Sequence, residues 1–474
     1  MNKPLPLPCS HPFDPVILRE YDIRGIVGKN LSEKDAYALG LAFGTFVIGK
    51  GGKTICVGYD GRDTSPGLST ALMRGLSETG LEVTDVGLGP TPLLWFAVKH
   101  LKTDAGIMVT GSHNPAGHNG FKMTLQKEPI YGKAIANIGE IAATGNYNIA
   151  ATPGTIVHHP LKSEYIGRLF QDYTAKSPLT IAWDCGNGVG GAVIGDIVAK
   201  LPGKNILLYD DVDGTFPNHH PDPTVDKNLD DLRKAVLDNK CDLGIAFDGD
   251  ADRIGVIDEN GDILRCDTLL GLYAAEIIEK SPGAPIIGDV KCSQTLFDEI
   301  ERLGGTPVMW KTGHSLVKSK MAELKAPLAG ELSGHIFFAD KYYGFDDALY
   351  CSIRLINIVS AAKESGKNGL SVLTAHLPRT YSTAEVRVEV PEEDKFAIVP
   401  KVIASLMSQK NIEICDIDGV RVKTPDGWWL LRPSNTQNVL SARAEGNSSQ
   451  ALEALKSMAM EELKKLGYSL TFGS

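Results

Sequence analysis

Short apolar runs alternate with helix-length segments through the first three quarters of the chain. Three of these runs share one order, in which an apolar strand leads to a turn with Asp and Gly and then to a helix: residues 54–65, 179–193 and 284–300. After the first and the third, a Gly-containing turn leads to a second strand, within residues 80–92 and 304–315. Alternation of strands and helices indicates βαβ units in mixed or parallel sheets, so the pattern predicts a diverged internal repeat.

The C-terminal part of the chain has a different pattern, because its apolar and polar residues alternate one by one. Such alternation predicts half-buried strands, here at residues 384–390, 419–424, 427–434 and 439–446. Helices are predicted at residues 394–408 and from Ser449 to Leu466. This part of the chain is therefore predicted to form an α+β domain.

A chain of 474 residues is too long for one hydrophobic core. We predict the α/β fold class, with three similar α/β domains that have mixed sheets, followed by the α+β domain. The predicted domains cover residues 1–157, 158–262, 263–376 and 377–474. Ligands of such sheets bind at the carboxyl ends of the strands. The polar turns that follow the strands are therefore where we expect the chemistry.

Composition narrows the class of partner. The formal net charge of −10 argues against nucleic acid or an anionic membrane as the main partner, although a small anion needs only a local basic cluster. No apolar run reaches the roughly 18 residues of a membrane span, and the proline-broken first 15 residues do not resemble a secretion signal. The eight cysteines are scattered without a metal-binding spacing. We therefore expect reduced thiols and a cytoplasmic protein.

The segment TGSHNP, residues 110–115, places Ser112 in a polar turn after an apolar strand at residues 105–109. It is not a G-x-S-x-G nucleophile elbow, because Thr and Asn stand where that turn needs glycines. We expect His113 to be a poor base for Ser112, since adjacent side chains seldom point at one another. The segment alone leaves two interpretations open: a reactive serine, or a serine that only caps the turn.

The segment FDGDADRIG, residues 247–255, places Asp248, Asp250 and Asp252 directly after a second apolar strand. Three hard oxygen ligands this close repel one another unless a divalent cation such as Mg²⁺ neutralises them. An EF-hand is excluded, because the sixth position of such a loop is Arg253 instead of glycine, and strands flank it. The segment predicts a metal site, and the alternative is a solvated acidic turn.

The segment RPSNT, residues 432–436, ends a strand in the C-terminal part of the chain. The planar fork of donors on Arg432 lies there beside hydroxyl and amide side chains: Ser434, Asn435 and Thr436. A turn with these groups suits a phosphate dianion. Serine and asparagine are also common in ordinary turns, so the segment is weak evidence by itself.

Further polar residues near strand ends are candidate site residues. In GELSGH, residues 330–335, alternate positions carry Glu331, Ser333 and His335, which can present donors and acceptors to sugar hydroxyls. Elsewhere the candidates are Tyr21, Arg24, Lys291 and His314. Each of these four can equally cap a turn or form a local ion pair.

In this order, TGSHNP, DGDADR, GELSGH and RPSNT resemble the four signatures of the α-D-phosphohexomutase superfamily. With YDIRG, DVKC and KTGHS added, the chain is most similar to the bacterial phosphomannomutase/phosphoglucomutase branch. The resemblance runs from about Ile17 to the last helix, and four motifs in the family's order are much more specific than any one of them. It implies four domains around a central cleft, with one motif from each.

The resemblance implies that Ser112 carries a phosphoryl group, which the enzyme gives away and takes back. Mg²⁺ is then bound by the phosphorylated Ser112 and the three aspartates. Arg253 and Lys122 add positive charge, and either Lys122 or His335 moves the hydroxyl proton. The other candidates bind substrate: Tyr21, Arg24, Lys291, His314, Glu331, Ser333, Arg432, Ser434, Asn435 and Thr436.

The implied reaction is the reversible conversion of hexose 1-phosphate to hexose 6-phosphate through a hexose 1,6-bisphosphate. The resemblance places Glu331 at O3 and O4, which glucose and mannose share, so both sugars are expected substrates. Leu332 stands where phosphoglucosamine mutases usually carry glutamine, so glucosamine phosphate is expected to serve poorly. The alternatives are a phosphoglucosamine mutase, a non-catalytic sugar-phosphate binding protein and a metal-dependent phosphatase. We expect a monomer that binds small phosphosugars.

Overall fold

The computed structural model of the chain describes residues 10–126, 129–407, 409–434 and 438–472. Contacts divide the chain into two compact units. Unit 1 consists of Met1–Cys266 and Ser333–Leu373, and unit 2 consists of Asp267–Leu332 and Thr374–Ser474. The predicted third domain, residues 263–376, contributes to both units, and the three predicted domain boundaries, near residues 157, 262 and 376, stay predictions.

Unit 1 begins with a six-stranded mixed sheet. Its strands are β1 (Ile23–Ile26), β2 (Thr54–Tyr59), β3 (Glu82–Leu88), β4 (Ala105–Val109), β5 (His118–Leu125) and β6 (Ile156–His158), in the order β1-β5-β4-β2-β3-β6. The helices of this segment are α1 (Glu33–Gly49), α2 (Ser65–Glu78), α3 (Thr91–His100) and α4 (Lys133–Thr144). Because β2 and β4 run parallel, with Tyr59 opposite Val109, the turns that follow them lie at the same edge of the sheet.

A second mixed sheet in unit 1 carries the acidic turn. Its strands are β7 (Leu179–Asp184), β8 (Gly203–Leu208), β9 (Leu243–Phe247), β10 (Ile254–Asp258) and β11 (Ile263–Leu264), in the order β11-β10-β9-β7-β8. Its helices are α5 (Lys162–Leu169), α6 (Gly191–Val198) and α7 (Asp230–Asn239). Phe247 pairs with Ile254 across the antiparallel β9 and β10, so residues 248–253 form the loop that joins these two strands.

The chain then passes through unit 2 and back to unit 1. The elements that follow are α8 (Cys266–Lys280), β12 (Pro285–Asp289), α9 (Gln294–Arg302), β13 (Thr306–Trp310), α10 (His314–Leu324) and β14 (Leu328–Gly330). β12 is parallel to both β13 and β14, so the turns after all three strands lie at one edge of unit 2. Unit 1 then gains β15 (Ile336–Phe338), α11 (Ala348–Glu364) and α12 (Leu370–Thr374).

Unit 2 ends with an antiparallel sheet. Its strands are β16 (Tyr381–Ser382), β17 (Val386–Glu389), β18 (Glu413–Cys415), β19 (Val420–Thr424), β20 (Gly427–Pro433) and β21 (Val439–Gly446). The helices are α13 (Glu392–Leu406) and α14 (Ser449–Lys465). Apolar residues of β19, β20 and β21 pack with both helices in one core, with Trp429 fully buried at its centre.

The predicted fold class is confirmed, with three similar strand–helix segments followed by a different C-terminal segment. The second segment also has the strand after its helix, β8, for which the sequence analysis found no signal. The apolar run of β8 is only three residues long, Ile206 to Leu208, and no residue of the strand is fully buried. In the part of the chain that the structure describes, no helix is long and apolar enough to cross a membrane.

Candidate active site

Ser112 lies three residues beyond the end of β4 and is 1% exposed. Its Oγ donates a hydrogen bond to Asp248 Oδ2 at 2.9 Å, which joins the TGSHNP turn to the acidic turn. Its backbone is left-handed, with φ +49°, a conformation that is uncommon outside glycine. Gly249 makes this approach possible, because a Cβ atom there would lie 2.4 Å from the Ser112 carbonyl oxygen.

His113 does not point away from Ser112, so this part of the sequence-based prediction is wrong. Its Nδ1 lies 3.2 Å from Ser112 Oγ. Adjacent side chains point to opposite faces in an extended strand, and the left-handed backbone at Ser112 departs from that geometry. Burial and the positive charges of Arg253 and Arg24 hold the pKa of His113 well below its usual value. The ring is therefore neutral, and the direction of its hydrogen bond with Ser112 Oγ depends on its tautomer.

Asp60 and Arg62, in the turn after β2, hold the serine turn in place. Asp60 accepts hydrogen bonds from Thr110 Oγ1 at 2.8 Å and from the Gly111 backbone N–H at 3.1 Å. Arg62 donates to backbone carbonyls of the serine turn at 2.6–2.7 Å: Ser112, Asn114 and Pro115. Asp60 and Arg62 also pair with each other at 3.2 Å, and both side chains are almost fully buried. Neither residue was predicted as part of the site.

Replacing Arg62 with alanine is expected to lower the apparent free energy of unfolding by about 3–5 kcal/mol, because it leaves a buried carboxylate and several carbonyls without their partner. Denaturant titration of the two proteins measures this change. Arg74→Ala is the matched control: its ion pair with Glu78 is partly exposed, and its loss is expected to cost less than about 1 kcal/mol. Equal effects of the two substitutions would contradict the role given to Arg62.

Two of the three aspartates of the acidic turn pair with the ammonium group of Lys122, which lies in β5. Asp250 Oδ2 accepts a hydrogen bond from Lys122 Nζ at 2.7 Å, and Lys122 also bonds to Asp252. Thr91, at the start of α3, donates to Asp250. All three carboxylates and Lys122 are buried, so their charges interact with little screening by water.

These contacts move the pKa values in opposite directions. Burial and the charges of Asp250 and Asp252 raise the pKa of Asp248 well above its usual value. Burial also acts to raise the pKa of Asp250, but the charge of Lys122 outweighs it, and that pKa is lowered. Burial would lower the pKa of Lys122, yet the two carboxylates raise it. In this arrangement Lys122 is therefore an ammonium ion.

The acidic turn has the features of a cation site. One oxygen from each of Asp248, Asp250 and Asp252 lies within 4.8 Å of the others. Among the described residues, Asp250 Oδ1 and Asp252 Oδ1 are buried and accept no hydrogen bond. Buried carboxylate oxygens without a donor are unfavourable, and hard oxygen ligands are those that divalent cations prefer. The cluster can therefore hold a metal ion.

Arg253 and His335 lie on one side of this cluster. Arg253 Nε donates to His335 Nε2 at 3.0 Å, and His335 Nδ1 lies 3.0 Å from Asp346 Oδ2 and 3.6 Å from Asp252 Oδ1. With Nε2 as acceptor, the proton of a neutral His335 is on Nδ1, which faces these carboxylates. Ser333 is half-buried two residues before His335. Asp346 was not predicted as part of the site.

Of the two predicted residues near the N-terminus, Arg24 contacts the serine turn. Arg24, in β1, donates to Asp22 Oδ2 at 2.7 Å and to Asn114 Oδ1 at 3.1 Å, which places it against the serine turn. Tyr21 is half-buried just before β1. We use the name serine cluster for the groups that unit 1 brings together: Arg24, Ser112, Lys122, Asp248, Asp250, Asp252, Arg253 and His335.

Unit 2 brings together a second group of predicted residues, which we call the arginine cluster: Lys291, His314, Glu331, Arg432 and Ser434. Lys291 Nζ lies 3.2 Å from Glu385 Oε2, and its charge lowers the pKa of Glu385 to about 2. Burial would lower the pKa of Lys291, but Glu385 and Asp289 raise it. Arg432 Nε donates to Asp418 Oδ2 at 3.0 Å. Both basic groups are thus buried as cations.

The remaining members of the arginine cluster lie in the turns after β13, β14 and β20. Glu331 Oε1 accepts a hydrogen bond from the Gly313 backbone N–H at 2.6 Å, directly before His314 at the start of α10. The Ser434 backbone N–H donates to the Val439 carbonyl at 2.9 Å. Asn435 and Thr436 lie outside the described residues.

The residues that sequence reasoning missed include two related aspartates. Asp60 follows β2 and Asp289 ends β12, at matching positions of two of the repeated segments. As Asp60 does for the serine turn, Asp289 accepts a hydrogen bond from a neighbouring turn, through the Leu332 backbone N–H at 3.2 Å. The sequence feature that could have identified both is the Asp that recurs at the end of a strand in each repeat. No comparable sequence pattern marks Asp418.

Four models of phosphoglucomutase/phosphomannomutase domains match successive parts of the chain. Alpha/beta/alpha domains I, II and III match residues 15–148, 163–261 and 265–381, and the C-terminal domain matches residues 385–462. Each match contains one of the four motifs, because these lie at residues 110–115, 248–253, 330–335 and 432–436.

Among similar proteins, the phosphomannomutase/phosphoglucomutase of Pseudomonas aeruginosa is 41% identical over 96% of this chain and 96% of its own length. The phosphoglucomutase of Neisseria meningitidis is also 41% identical, over 93% of this chain and 95% of its own length. A crystal structure of a phosphoglucomutase/phosphomannomutase family protein from Burkholderia thailandensis matches with a TM-score of 0.90 and 38% identity. It covers 97% of this chain and 99% of the other. The chain therefore belongs to the phosphoglucomutase/phosphomannomutase family.

Proposed function

We propose that the protein interconverts hexose 1-phosphates and hexose 6-phosphates, with Ser112 as the group that gives and takes the phosphoryl group. The observation that carries the proposal is the contact of Ser112 Oγ with Asp248, beside two further buried carboxylates and the buried ammonium group of Lys122. A serine that only caps a turn does not require buried charged groups around its hydroxyl. Membership of the family supports the same reaction.

In the proposed reaction, the free hydroxyl of a hexose phosphate attacks the phosphorus of phosphorylated Ser112. The new bond joins phosphorus to the sugar oxygen, and the bond from phosphorus to Ser112 Oγ breaks. The sugar hydroxyl loses its proton, and Ser112 Oγ regains one. The product is a hexose 1,6-bisphosphate, which returns its other phosphoryl group to Ser112. Such transfer needs alignment and charge neutralisation more than covalent chemistry.

Asp248, Asp250 and Asp252 are the proposed ligands of Mg²⁺, together with an oxygen of phosphorylated Ser112. When bound, Mg²⁺ supplies positive charge that the oxygens of a transferring phosphoryl group require. The buried Lys122 and the half-buried Arg253 add two positive charges at the same place. A preorganised, buried set of charges stabilises a transition state more strongly than the same charges in water.

Two side chains are candidates to move the proton of the attacking hydroxyl. Lys122 is held as an ammonium ion by Asp250 and Asp252, so it can accept a proton only when those carboxylates are neutralised by another cation. His335 presents Nε2 as an acceptor, which at present receives the Arg253 Nε–H. We propose that both contribute to proton transfer, as base or as positive charge.

The arginine cluster is proposed to bind the part of the substrate that does not react. Arg432 and Ser434, with Asn435 and Thr436, would hold the distal phosphate, and Lys291 and His314 would assist. Glu331 would accept hydrogen bonds from sugar hydroxyls, and Ser333 would lie beside them. Tyr21 is assigned to the substrate on the family pattern alone. The expectations of a cytoplasmic location and a monomer stay predictions.

A panel of 1-phosphosugars with a trace of hexose 1,6-bisphosphate tests the proposal. Isomerised product is expected from glucose and mannose 1-phosphates, with little from glucosamine 1-phosphate. Release of inorganic phosphate without isomerised product would instead identify a phosphatase. Binding without either product would identify a sugar-phosphate binding protein. A preference for glucosamine 1-phosphate would identify a phosphoglucosamine mutase.

Replacing Glu331 with alanine is expected to lower kcat/KM for the glucose and mannose reactions by similar factors, of roughly ten to a hundredfold. The two sugars differ only at C2, and a group that contacts O3 and O4 cannot separate them. Glu331 also holds the backbone N–H before His314, so Glu331→Gln, which keeps an acceptor oxygen, is the control for this positioning. Steady-state kinetics with both sugar phosphates measures the ratio of kcat/KM between the wild-type protein and each variant. A loss confined to one sugar would show that Glu331 senses C2.

A further inference from the structure

Asp418 joins the proposed phosphate ligand Arg432 to the turn that carries His314. Its Oδ2 accepts hydrogen bonds from Arg432 Nε at 3.0 Å and from the Thr312 backbone N–H at 3.0 Å, and its Oδ1 lies 3.5 Å from Arg432 Nη2. Both charged side chains are largely buried, with 11% of the Asp418 side chain and 9% of the Arg432 side chain exposed. One carboxylate therefore fixes two different segments of unit 2.

The turn that carries Asp418 is built for this close approach. It connects β18 to β19, and Gly419 follows the aspartate with φ +94°, a left-handed conformation. A Cβ atom at Gly419 would lie 2.3 Å from the Leu431 carbonyl oxygen, next to Arg432 in β20. Glycine meets both requirements, since it has no side chain and adopts positive φ without strain.

The hydrogen bonds continue from Asp418 to the turn that carries Glu331. Thr312 donates its backbone N–H to Asp418, and its Oγ1 donates to Asp289 Oδ2 at 2.9 Å. Asp289 Oδ1 accepts the Leu332 backbone N–H at 3.2 Å. The largely buried Asp418 and the buried Asp289, with Thr312 between them, thus connect the proposed phosphate ligand to the turns that carry His314 and Glu331.

Charge alone would argue against an aspartate at this place. A carboxylate beside a guanidinium lowers the positive potential that attracts a phosphate dianion. Geometry argues the other way, because Arg432 has five N–H donors and the two that face Asp418 fix the plane of the others. A long side chain that is already ordered loses less conformational entropy when a ligand binds. The two effects therefore predict opposite changes in the Kd for a phosphosugar when the charge of Asp418 is removed: repulsion predicts a lower Kd, and positioning predicts a higher one.

We propose that Asp418 is a positioning residue for the substrate phosphate, which holds Arg432 and the turn of His314 in the arrangement that binds it. The benefit of this order outweighs the repulsion between the carboxylate and the phosphate. Through their hydrogen bonds, Thr312 and Asp289 also hold the turn that carries Glu331 in place. The inference rests on the proposed function, because it takes a phosphosugar as the ligand of the arginine cluster.

Calorimetric titration with glucose 6-phosphate measures directly whether the Kd rises or falls when the charge of Asp418 is removed. The parent protein carries Ser112→Ala, so that no turnover takes place. Asp418→Asn, which keeps the shape and removes the charge, is expected to raise the Kd by about tenfold, as for the loss of a charge-assisted pair at a binding site. Asp426→Asn is the control, because Asp426 is an exposed carboxylate in the turn between β19 and β20 of the same unit. The control is expected to leave the Kd unchanged.

Unchanged or tighter binding by Asp418→Asn would overturn the proposal, since it would show that repulsion is at least as large as positioning. Titration with glucose as well as glucose 6-phosphate isolates the phosphate: the loss is expected only for the phosphosugar. Failure of the parent protein to bind glucose 6-phosphate would contradict the proposed function itself, whereas binding by the parent with no loss in the variant contradicts only the role of Asp418.

Thr312 gives a second and milder test. Thr312→Val removes the hydroxyl that donates to Asp289 and keeps the backbone N–H that donates to Asp418, with nearly the same volume. The Kd for glucose 6-phosphate is expected to rise severalfold, and Thr312→Ser is expected to restore it. Equal Kd values for the valine and serine variants would show that the connection to Asp289 contributes nothing to binding.

Discussion

Replacing Ser112 with alanine is expected to lower kcat by at least about 10⁴-fold, as does the loss of the nucleophile in other covalent mechanisms. No second hydroxyl is placed to substitute: among the described residues, Ser112 has the only serine or threonine hydroxyl that bonds to Asp248. The phosphoryl group should also disappear from the peptide that contains residue 112. Coupled assays with intact-protein mass spectrometry measure both effects.

Stability provides the control for this substitution. Ser112 has φ +49°, so Ser112→Gly is expected to be at least as stable as Ser112→Ala, by up to about 1 kcal/mol, and equally inactive. Ser69→Ala removes another buried hydroxyl of unit 1, one that has no hydrogen-bond partner among the described residues, and is expected to leave activity unchanged. Substantial activity in either residue 112 variant would refute the phosphoserine mechanism.

The second large effect is expected at the metal site. Asp250→Asn removes one of three anionic oxygen ligands and one of the two carboxylates that pair with Lys122, so kcat/KM and Mg²⁺ affinity should both fall by about tenfold to a hundredfold. Calorimetry with the metal ion alone measures the affinity independently of activity. The wild-type protein is expected to lose activity in a chelator and to regain it when Mg²⁺ is added.

Asp238→Asn is the matched control, because Asp238 is an exposed carboxylate on α7 of the same unit, which forms an ion pair with Lys234 four residues earlier in the helix. It is expected to change neither Mg²⁺ affinity nor kcat/KM. If the wild-type protein works in a chelator without added metal, the three aspartates are structural, and Lys122 and Arg253 supply the charge by themselves.

Sequence reasoning was most successful where one local pattern decides the structure. The buried strand β4 and the loop between β9 and β10 follow directly from apolar runs and the polar turns after them. The motif residues fall into the two clusters, except for Tyr21 and Ser333, which are half-buried in the same segments, and Asn435 and Thr436, which lie outside the described residues.

What the sequence could not reveal are contacts between distant segments. Arg62 reaches carbonyls about fifty residues away, and Asp418 accepts from a backbone N–H 106 residues away. Neither pairing follows from spacing, because turns meet only after the sheets have formed. His113 shows the same limit at short range, since its direction depends on the left-handed backbone of Ser112, which a polar turn does not specify.

Transfer of label from the protein to the sugar tests the central claim most directly. Protein with ³²P on Ser112 would be mixed with excess glucose 1-phosphate in the presence of Mg²⁺, and the reaction stopped within a single turnover. The account predicts that label leaves Ser112 and appears first in glucose 1,6-bisphosphate, at a rate at least equal to kcat. Label that stays on Ser112 during turnover, or leaves only as inorganic phosphate, would contradict it.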